Sequence, residues 1–222
     1  MAYRRTDKVQ KRLDEKRRSI LSAARTHFAA QGYASTTMQQ VSKSAGTSIG
    51  NLYFYFSNKE ELLLAVVDDF ILELGERIDT ARARSGSAVE QLTNAIYAAI
   101  LWAMANEQLL ALILLGDGAQ SLRQRVLDFF TERLIDFLRT HADEIPETDP
   151  VLAAHAWEGA VFNVLEQRLA GRLDLSNVEI ARFLAHWNLR ALGFSEEVAT
   201  ERVQASESWI RTAEPPVFAA FS

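Results

Sequence analysis

Residues 36–63 read TTMQQVSKSAGTSIGNLYFYFSNKEELL and decide the fold that we predict for this chain. Either Thr36 or Thr37 is suited to be the N-cap of a short helix, because a hydroxyl there accepts a hydrogen bond from a helix-end amide. Gly46 supplies the turn after this helix, since glycine adopts turn conformations that a side chain resists. A second short helix is predicted over about 48–54.

The spacing of small and apolar residues in this stretch is typical of a helix-turn-helix. Ser42 is small enough for the two helices to approach closely. Val41 and Leu52 are placed to face inward and to fix the crossing. Two helices joined in this way can present the second one to the major groove of DNA.

The rest of the chain also favours helix, and we predict an all-α fold class. The first 145 residues contain no proline, and no strand-like alternation or internal repeat is present. Three Ser-x-x-Glu patterns predict capping boxes: Ser57–Glu60, Ser87–Glu90 and Ser176–Glu179. The predicted helices cover about 14–31, 36–45, 48–54, 57–83, 88–105, 107–115, 121–140, 150–171, 177–192 and 196–211.

Charge is distributed unevenly along the chain. Residues 1–59 carry 11 Lys and Arg against 3 Asp and Glu, whereas residues 60–222 carry 13 against 26. A basic head on an acidic body predicts that only the head meets a polyanion, the alternative being a merely solvated basic arm. We place the domain boundary after residue 57, with a mobile basic arm over 1–14 and a larger helical domain over 58–222.

The quoted stretch, with HFAAQGY at 27–33 before it, resembles the TetR family of transcriptional regulators. The matching positions are Thr37, Ala45-Gly46, Ser48, Gly50, Leu52-Tyr53, Tyr55, Phe56 and Lys59-Glu60. The chain departs from the family pattern at Thr47, Ile49 and Asn51, where an apolar residue, a basic residue and threonine are common. The missing cation at position 49 leaves the base preference open.

The resemblance and the local chemistry together predict a DNA-binding set. Thr37 and Lys59 are expected to contact phosphates, by hydroxyl and amide or by charge. Ser48 and Asn51 are expected at base edges, because an asparagine amide can hold adenine. The full set is Thr37, Thr47, Ser48, Gly50, Asn51, Tyr53, Tyr55 and Lys59. Taken singly, these residues are equally compatible with helix caps or core positions, and for Phe56 the core is preferred.

Arg4, Arg5, Lys8 and Arg12 are basic residues of the predicted arm. They are expected to contact phosphates or the minor groove, or to belong to a loosely attached arm without a fixed contact.

The resemblance further implies that residues 58–222 form a helical bundle that binds a small molecule and dimerises through its last two large helices. Predicted dimer residues are Ala156, Gly159, Ala160, Phe183, Leu184 and Trp187, with internal core as the alternative. Predicted ligand residues are Asn94, Tyr97, Trp102, Phe129, Phe130, Trp157, Phe162 and Asn163, with an aromatic-rich core as the alternative.

The resulting prediction is a cytoplasmic, non-enzymatic, homodimeric repressor that binds a palindromic DNA operator and is released by an apolar or aromatic effector. No cofactor or metal is expected, since the chain has no cysteine and its four histidines lack ligand spacing. No membrane partner is expected either, because polar residues at 106–108 interrupt the apolar stretch from 95 to 115. One alternative is a ligand-independent architectural DNA-binding protein. The other is a serine esterase using GTSIG at 46–50, which needs a strand that the preceding residues do not predict.

Overall fold

The computed structural model describes residues 7–116, 120–146 and 148–212. Within these residues every regular element is a helix, which confirms the predicted all-α fold. The helices are α1 (Asp7–Ser35), α2 (Met38–Ser44), α3 (Ile49–Tyr55), α4 (Lys59–Arg82), α5 (Ala88–Ala105), α6 (Glu107–Leu115), α7 (Gln120–Thr140), α8 (Pro150–Leu169), α9 (Asn177–Ala191) and α10 (Glu196–Thr212). Apart from those of α1, their bounds lie close to the predicted ones.

The chain divides into two compact units, an N-terminal unit (Met1–Phe70) and a C-terminal unit (Ile71–Ser222). The division falls inside α4. The sequence places the boundary earlier, between residues 57 and 58. A capping motif marks where α4 begins, and it carries no information on how far along α4 the contacts of the N-terminal unit extend.

The start of α1 corrects the predicted mobile arm over residues 1–14. The second part of this segment is helical, and Gln10 donates a hydrogen bond to Asp14, one turn later, at 2.9 Å. Lysine, glutamine, arginine and leucine favour helix there, and no glycine or proline opposes it. Arg4 and Arg5 lie outside the described residues.

Gly32 interrupts α1 where the sequence predicts the helix to end. Its φ of 78° and ψ of 171° form a conformation that residues with a side chain rarely adopt. A last helical turn follows and ends at Ser35. The chain then enters α2 at Met38, within a few residues of Gly32.

The core of the N-terminal unit combines the predicted apolar stripe of α1 with inward side chains of the next two helices. Burial of a large apolar side chain stabilises the fold by about 1.5–3 kcal/mol. The side chains that are at most 2% exposed include Ile20, Leu21, Ala24, Phe28, Val41, Leu52 and Phe56. The preferred core assignment of Phe56 is therefore confirmed.

The cap of α4 is shifted by one residue from the predicted Ser57–Glu60 box. The backbone N–H of Glu61 donates to Asn58 Oδ1 at 2.8 Å. The Glu61 carboxylate accepts from the hydroxyl and the backbone N–H of Ser57 at 2.6 and 2.7 Å. These hydrogen bonds lower the pKa of Glu61 below its usual value, because they favour the ionised carboxylate.

The C-terminal unit is built from two groups of packed helices. α5 packs against α9 and α10, and α7 packs against α8. The predicted Ser176–Glu179 box is present at the start of α9, and Asp149 caps α8, in which Pro150 is the first residue. A buried apolar cluster in this unit includes Ala88, Leu92, Phe137, Leu138, Leu189, Leu192 and Ala199.

Among the described residues, no single helix has both the length and the apolar character needed to cross a membrane. α5 and α6 reach that threshold only when taken together, and a bend of 93° separates them.

Candidate functional site

The α2–turn–α3 segment forms the predicted helix-turn-helix. Gly46 has a φ of 59°, in the left-handed region that favours glycine, and open space surrounds the position where a Cβ would lie. The turn is closed by the N–H of Thr47, which donates to the carbonyl of Ser42 at 3.0 Å. The glycine is therefore required by its backbone angle and not by crowding.

Thr37, not Thr36, is the N-cap of α2. Its hydroxyl accepts from the Gln40 N–H at 3.2 Å, and its own N–H donates to Gln40 Oε1 at 2.8 Å. Thr36 is buried and donates instead to the carbonyl of Gly32 at 2.8 Å. The Thr37 hydroxyl that was predicted to meet a phosphate thus also maintains the start of α2.

Ser48 and Asn51 organise the start of α3. Ser48 is the N-cap, and its Oγ accepts from the Asn51 N–H at 3.1 Å. The Asn51 side chain donates from Nδ2 to Thr47 Oγ1 at 2.7 Å. One of the two amide hydrogens of Asn51 is therefore held by Thr47, and the direction of the amide is set within the protein.

One face of α3 is open to solvent. Ile49 is 40% exposed, Tyr53 is 50% exposed and Phe54 is 66% exposed, whereas Leu52 on the opposite face is fully buried. Tyr55 is half-buried and meets the Phe54 ring edge to face at 5.2 Å between centroids. An exposed helix with this much apolar and aromatic surface is unusual unless another molecule covers it.

This face borders an open groove, which we call the α2–α3 groove. It is lined by Ala34, Thr36, Thr37, Met38, Gln39, Ile49, Tyr53, Ser57, Asn58 and Lys59. Gln39 was not predicted as a site residue. Its only signal in the sequence is its position two residues after the Thr37 N-cap, which does not show which way the amide points.

Lys59 is half-buried at the edge of the α2–α3 groove, and its ammonium group lies against backbone carbonyls. Its ammonium group donates to the carbonyls of Tyr33 at 2.8 Å, Thr36 at 2.9 Å and Ala34 at 3.3 Å. It also lies 4.3 Å from the centroid of the Tyr33 ring, within cation–π range. A lysine has three N–H donors, so these contacts use all of them. Lys59 therefore positions the end of α1 and the residue before the Thr37 N-cap, and its predicted phosphate contact stays a prediction.

Lys59→Met is expected to weaken DNA binding without changing its salt dependence. Loss of three charge-assisted hydrogen bonds should lower the free energy of unfolding by about 1–3 kcal/mol and loosen the start of α2. A direct phosphate contact would instead contribute about 0.9 to the slope of log K against log salt. Fluorescence anisotropy on labelled duplex at several salt concentrations measures this slope, and a shallower slope in the variant contradicts the positioning role.

Basic side chains of α1 lie beside the turn. Lys16 donates to the carbonyl of Gly46 at 3.4 Å, and the Arg17 guanidinium lies 5.5 Å from the centroid of the Phe56 ring. Lys11 and Arg12 are exposed on the first turns of the same helix. These positions concentrate positive charge in the N-terminal unit, as an anionic partner requires.

The predicted ligand residues of the C-terminal unit lie in different surroundings. Asn94 is buried and bonded at both ends of its amide, donating to Ser85 at 2.9 Å and accepting from Ser206 at 2.6 Å. Trp102 and Phe162 are buried, and Trp157 packs against the buried apolar cluster. Phe130 lies between its neighbours Phe129 and Phe162, at 5.5 and 5.9 Å between ring centroids. Asn163 is exposed.

Tyr97 is the buried end of a polar link between α5, α9 and α10, whose other end, Arg182, is exposed. Its phenol donates to Glu207 Oε1 at 3.0 Å, and the same carboxylate accepts from Arg182 Nε at 2.5 Å. Burial is the main reason why the pKa of Tyr97 is raised, and the negative charge of Glu207 adds to it. The phenol is thus held in its neutral form.

Stability should consequently depend on alkaline pH through Tyr97. Because its folded pKa lies above the unfolded value of about 10, its contribution is complete below that pH and is lost as pH rises through the folded pKa. The free energy of unfolding should fall by up to about 1.4 kcal/mol per pH unit in this range. Urea denaturation between about pH 9 and pH 11 measures the slope, which should be smaller in Tyr97→Phe; equal slopes contradict this role.

The predicted dimer residues lie on α8 and α9, and most of them are open to solvent. Phe183 is 57% exposed and Trp187 is 42% exposed. Ala156 and Gly159 are exposed on α8, and Ala160 is half-buried. Leu184 is a correction, because it is fully buried within the chain and belongs to its core. A one-residue step along a helix rotates the side chain by about 100°, so Leu184 points away from Phe183.

An unpredicted apolar side chain extends the same surface. Leu152 on α8 is 71% exposed and lies one turn before Ala156. We call Leu152, Ala156, Gly159, Phe183 and Trp187 the α8–α9 surface. Each of these five residues is exposed to solvent within this chain.

Comparison with known proteins finds similarity to bacterial transcriptional regulators. Residues 20–66 match the family model for bacterial regulatory proteins of the tetR family. The chain is 29% identical over 163 residues to the HTH-type transcriptional regulator HbdR of Aromatoleum sp. strain CIB, covering 66% of this chain and 70% of HbdR.

Two solved structures share the fold. The fatty acid degradation regulator FadR from Bacillus halodurans has a TM-score of 0.69 and 20% identity, over 78% of this chain and 94% of that one. FadR from Bacillus subtilis, solved in complex with stearoyl-CoA, has a TM-score of 0.66 and 22% identity, over 79% of this chain and 96% of that one.

Proposed function

Because this chain belongs to the TetR family of transcriptional regulators, we propose that it is a homodimeric repressor which binds a palindromic operator and is released by a small effector. The observation that carries this proposal is the helix-turn-helix whose second helix leaves one face open while Leu52 anchors the other. A partner with a groove that admits a helix fits that face, and the basic residues of α1 in the same unit favour a negatively charged one; the DNA major groove has both properties.

In the proposed complex α3 lies in the major groove. Gly50 is exposed and carries no side chain, so the backbone of α3 can approach the DNA closely. Tyr53 and Tyr55 offer phenol donors to phosphates, and Thr47, Ser48 and Thr37 line the approach. Lys59 contributes by holding the α1–α2 connection, and the exposed basic residues of α1 supply attraction that is independent of sequence.

The α8–α9 surface supports the proposed homodimer. Exposed Phe183, Trp187 and Leu152 supply the large apolar side chains of a subunit interface, and Ala156 and Gly159 allow helices to approach closely. A two-fold dimer presents the same surface from both subunits. A palindrome read in successive major grooves requires two copies of α3 about 34–36 Å apart, and a two-fold dimer supplies two copies.

A mainly apolar or aromatic effector matches the side chains that the C-terminal unit buries. This unit buries aromatic side chains together with a few polar groups, such as Asn94 and Tyr97. The stearoyl-CoA complex of Bacillus subtilis FadR supports this choice, since this chain shares that fold. The effector releases DNA only if it binds more tightly to the form of the protein that does not fit the operator.

Titration of the protein–DNA complex with long-chain acyl-CoA esters and with simple phenols tests the effector part of the proposal. We expect one of these two classes to lower DNA affinity at least about tenfold, in the usual range for allosteric coupling. Affinity that is unchanged by both classes favours the alternative, a ligand-independent architectural protein of the same fold.

Hydrolysis by Ser48 has no structural support. The GTSIG segment follows α2 and opens α3, and the Ser48 hydroxyl accepts a hydrogen bond as a helix cap. A nucleophile elbow requires a strand before the serine. We therefore propose that the chain is not an enzyme and that it acts on DNA in the cytoplasm.

A further inference from the structure

The open face of α3 has no charged side chain with which to read a base. The helix sequence is IGNLYFY, which contains neither arginine nor lysine. Arginine and lysine are the side chains that most often recognise guanine in the major groove. The absence of both from α3 disfavours guanine opposite this helix.

The polar side chains at the start of α3 each make a hydrogen bond within the protein. Ser48 accepts a hydrogen bond as the N-cap, and the Asn51 amide donates to Thr47. Ile49 follows Ser48 directly, is 40% exposed and lines the α2–α3 groove. An exposed branched apolar side chain at the first position of α3 therefore presents its methyl groups to whatever enters the groove.

Thymine is the base that suits such a side chain. Its C5 methyl is the apolar group on the major-groove edge of the four base pairs, and apolar side chains contact it there. Gln39 of α2 is exposed and lines the same groove. A glutamine amide can bind N6 and N7 of adenine with two hydrogen bonds.

We infer that the α2–α3 groove reads A·T pairs, with Ile49 against a thymine methyl and Gln39 against a neighbouring adenine. This inference rests on the proposed function and adds to it the base composition of the half-site. Recognition is thereby shared between two helices, and Thr47, Ser48 and Asn51 maintain the shape of the segment.

Deoxyuridine provides a test of the thymine contact, because it differs from thymidine only by that methyl group. A palindromic site is first obtained by selection from random duplexes, and each thymine in one half-site is then replaced in turn. We expect one replacement to weaken binding of the unaltered protein by about fourfold, which corresponds to one methyl group. The same replacement should have no effect on Ile49→Ala, while Ile49→Val should keep the sensitivity.

The adenine contact is tested in the same way with 7-deazaadenine, which removes the N7 acceptor. One replacement should weaken binding by about fivefold, in the range of a single hydrogen bond. Gln39→Ala should be insensitive to it. Exposed positions such as 39 and 49 tolerate substitution, and circular dichroism verifies that each variant is folded.

The outcomes distinguish failure of the A·T inference from failure of the proposed function. An enriched palindrome whose half-sites show no response to either base analogue, or the same response in the variants, overturns the A·T inference and leaves the proposed function intact. Failure to enrich any palindrome overturns the proposed function, and the A·T inference with it.

Discussion

A chain carrying Phe183→Ala and Trp187→Ala is expected to be monomeric at concentrations at which the unaltered protein is a dimer. Both side chains are large and exposed in the single chain, so their loss removes interface area without opening a cavity in the core. A buried interface tryptophan typically contributes at least about 2 kcal/mol, and two-fold symmetry counts it twice. The dimer dissociation constant should therefore rise at least about 10³-fold.

Analytical ultracentrifugation over a concentration series measures this change, and DNA binding should weaken together with it because each monomer then holds one half-site. Leu72→Ala is a matched control, since Leu72 is a 64% exposed apolar residue on α4, outside α8 and α9. Unchanged dimerisation in the double variant, or equal loss in the control, contradicts the assignment of the α8–α9 surface to the dimer.

Leu52→Ala is expected to abolish DNA binding by unfolding the N-terminal unit. Leu52 is fully buried and is the inward anchor of α3, and removal of such a side chain typically costs about 2–5 kcal/mol. That loss is a large fraction of the stability of a small domain. Thermal denaturation followed by circular dichroism should show the destabilisation, and anisotropy on operator DNA should show no binding at concentrations that saturate the unaltered protein.

Phe54→Ala is the comparison for Leu52→Ala. Phenylalanine is larger than leucine, but Phe54 is 66% exposed, so its removal should change the free energy of unfolding by no more than about 0.5 kcal/mol. Greater destabilisation from Phe54→Ala than from Leu52→Ala would show that the inner and outer faces of α3 have been exchanged.

Local signals account for what the sequence predicts well. Pro150 and the Ser176–Glu179 box mark the starts of α8 and α9, and the stripe from Ile20 to Phe28 marks the buried face of α1. Each of these depends on residues within a few positions of one another. The helix-turn-helix belongs to the same class, because a cap, a glycine turn and two anchors specify it within about twenty residues.

Contacts between distant residues account for what the sequence predicts poorly. Lys59 reaches the carbonyl of Tyr33, 26 positions earlier, and no pattern around Lys59 distinguishes that carbonyl from a phosphate as its partner. Composition suggests which residues could bind a ligand, but it does not tell which helices meet, so the predicted ligand residues stay a prediction. The sequence groups Leu184 with Phe183 and Trp187 as dimer residues, and only the packing of α9 separates the buried side chain from the two exposed ones.

The proposed dimeric reading of an operator is tested by selecting bound duplexes from a random DNA pool at near-physiological salt. We expect enrichment of a palindrome whose half-sites are about one helical turn apart and which two chains bind, and we expect no such enrichment with Leu52→Ala. Weak, salt-sensitive binding without an enriched sequence would contradict it, because that result describes a basic surface attracted to phosphates and not a dimeric reader of an operator.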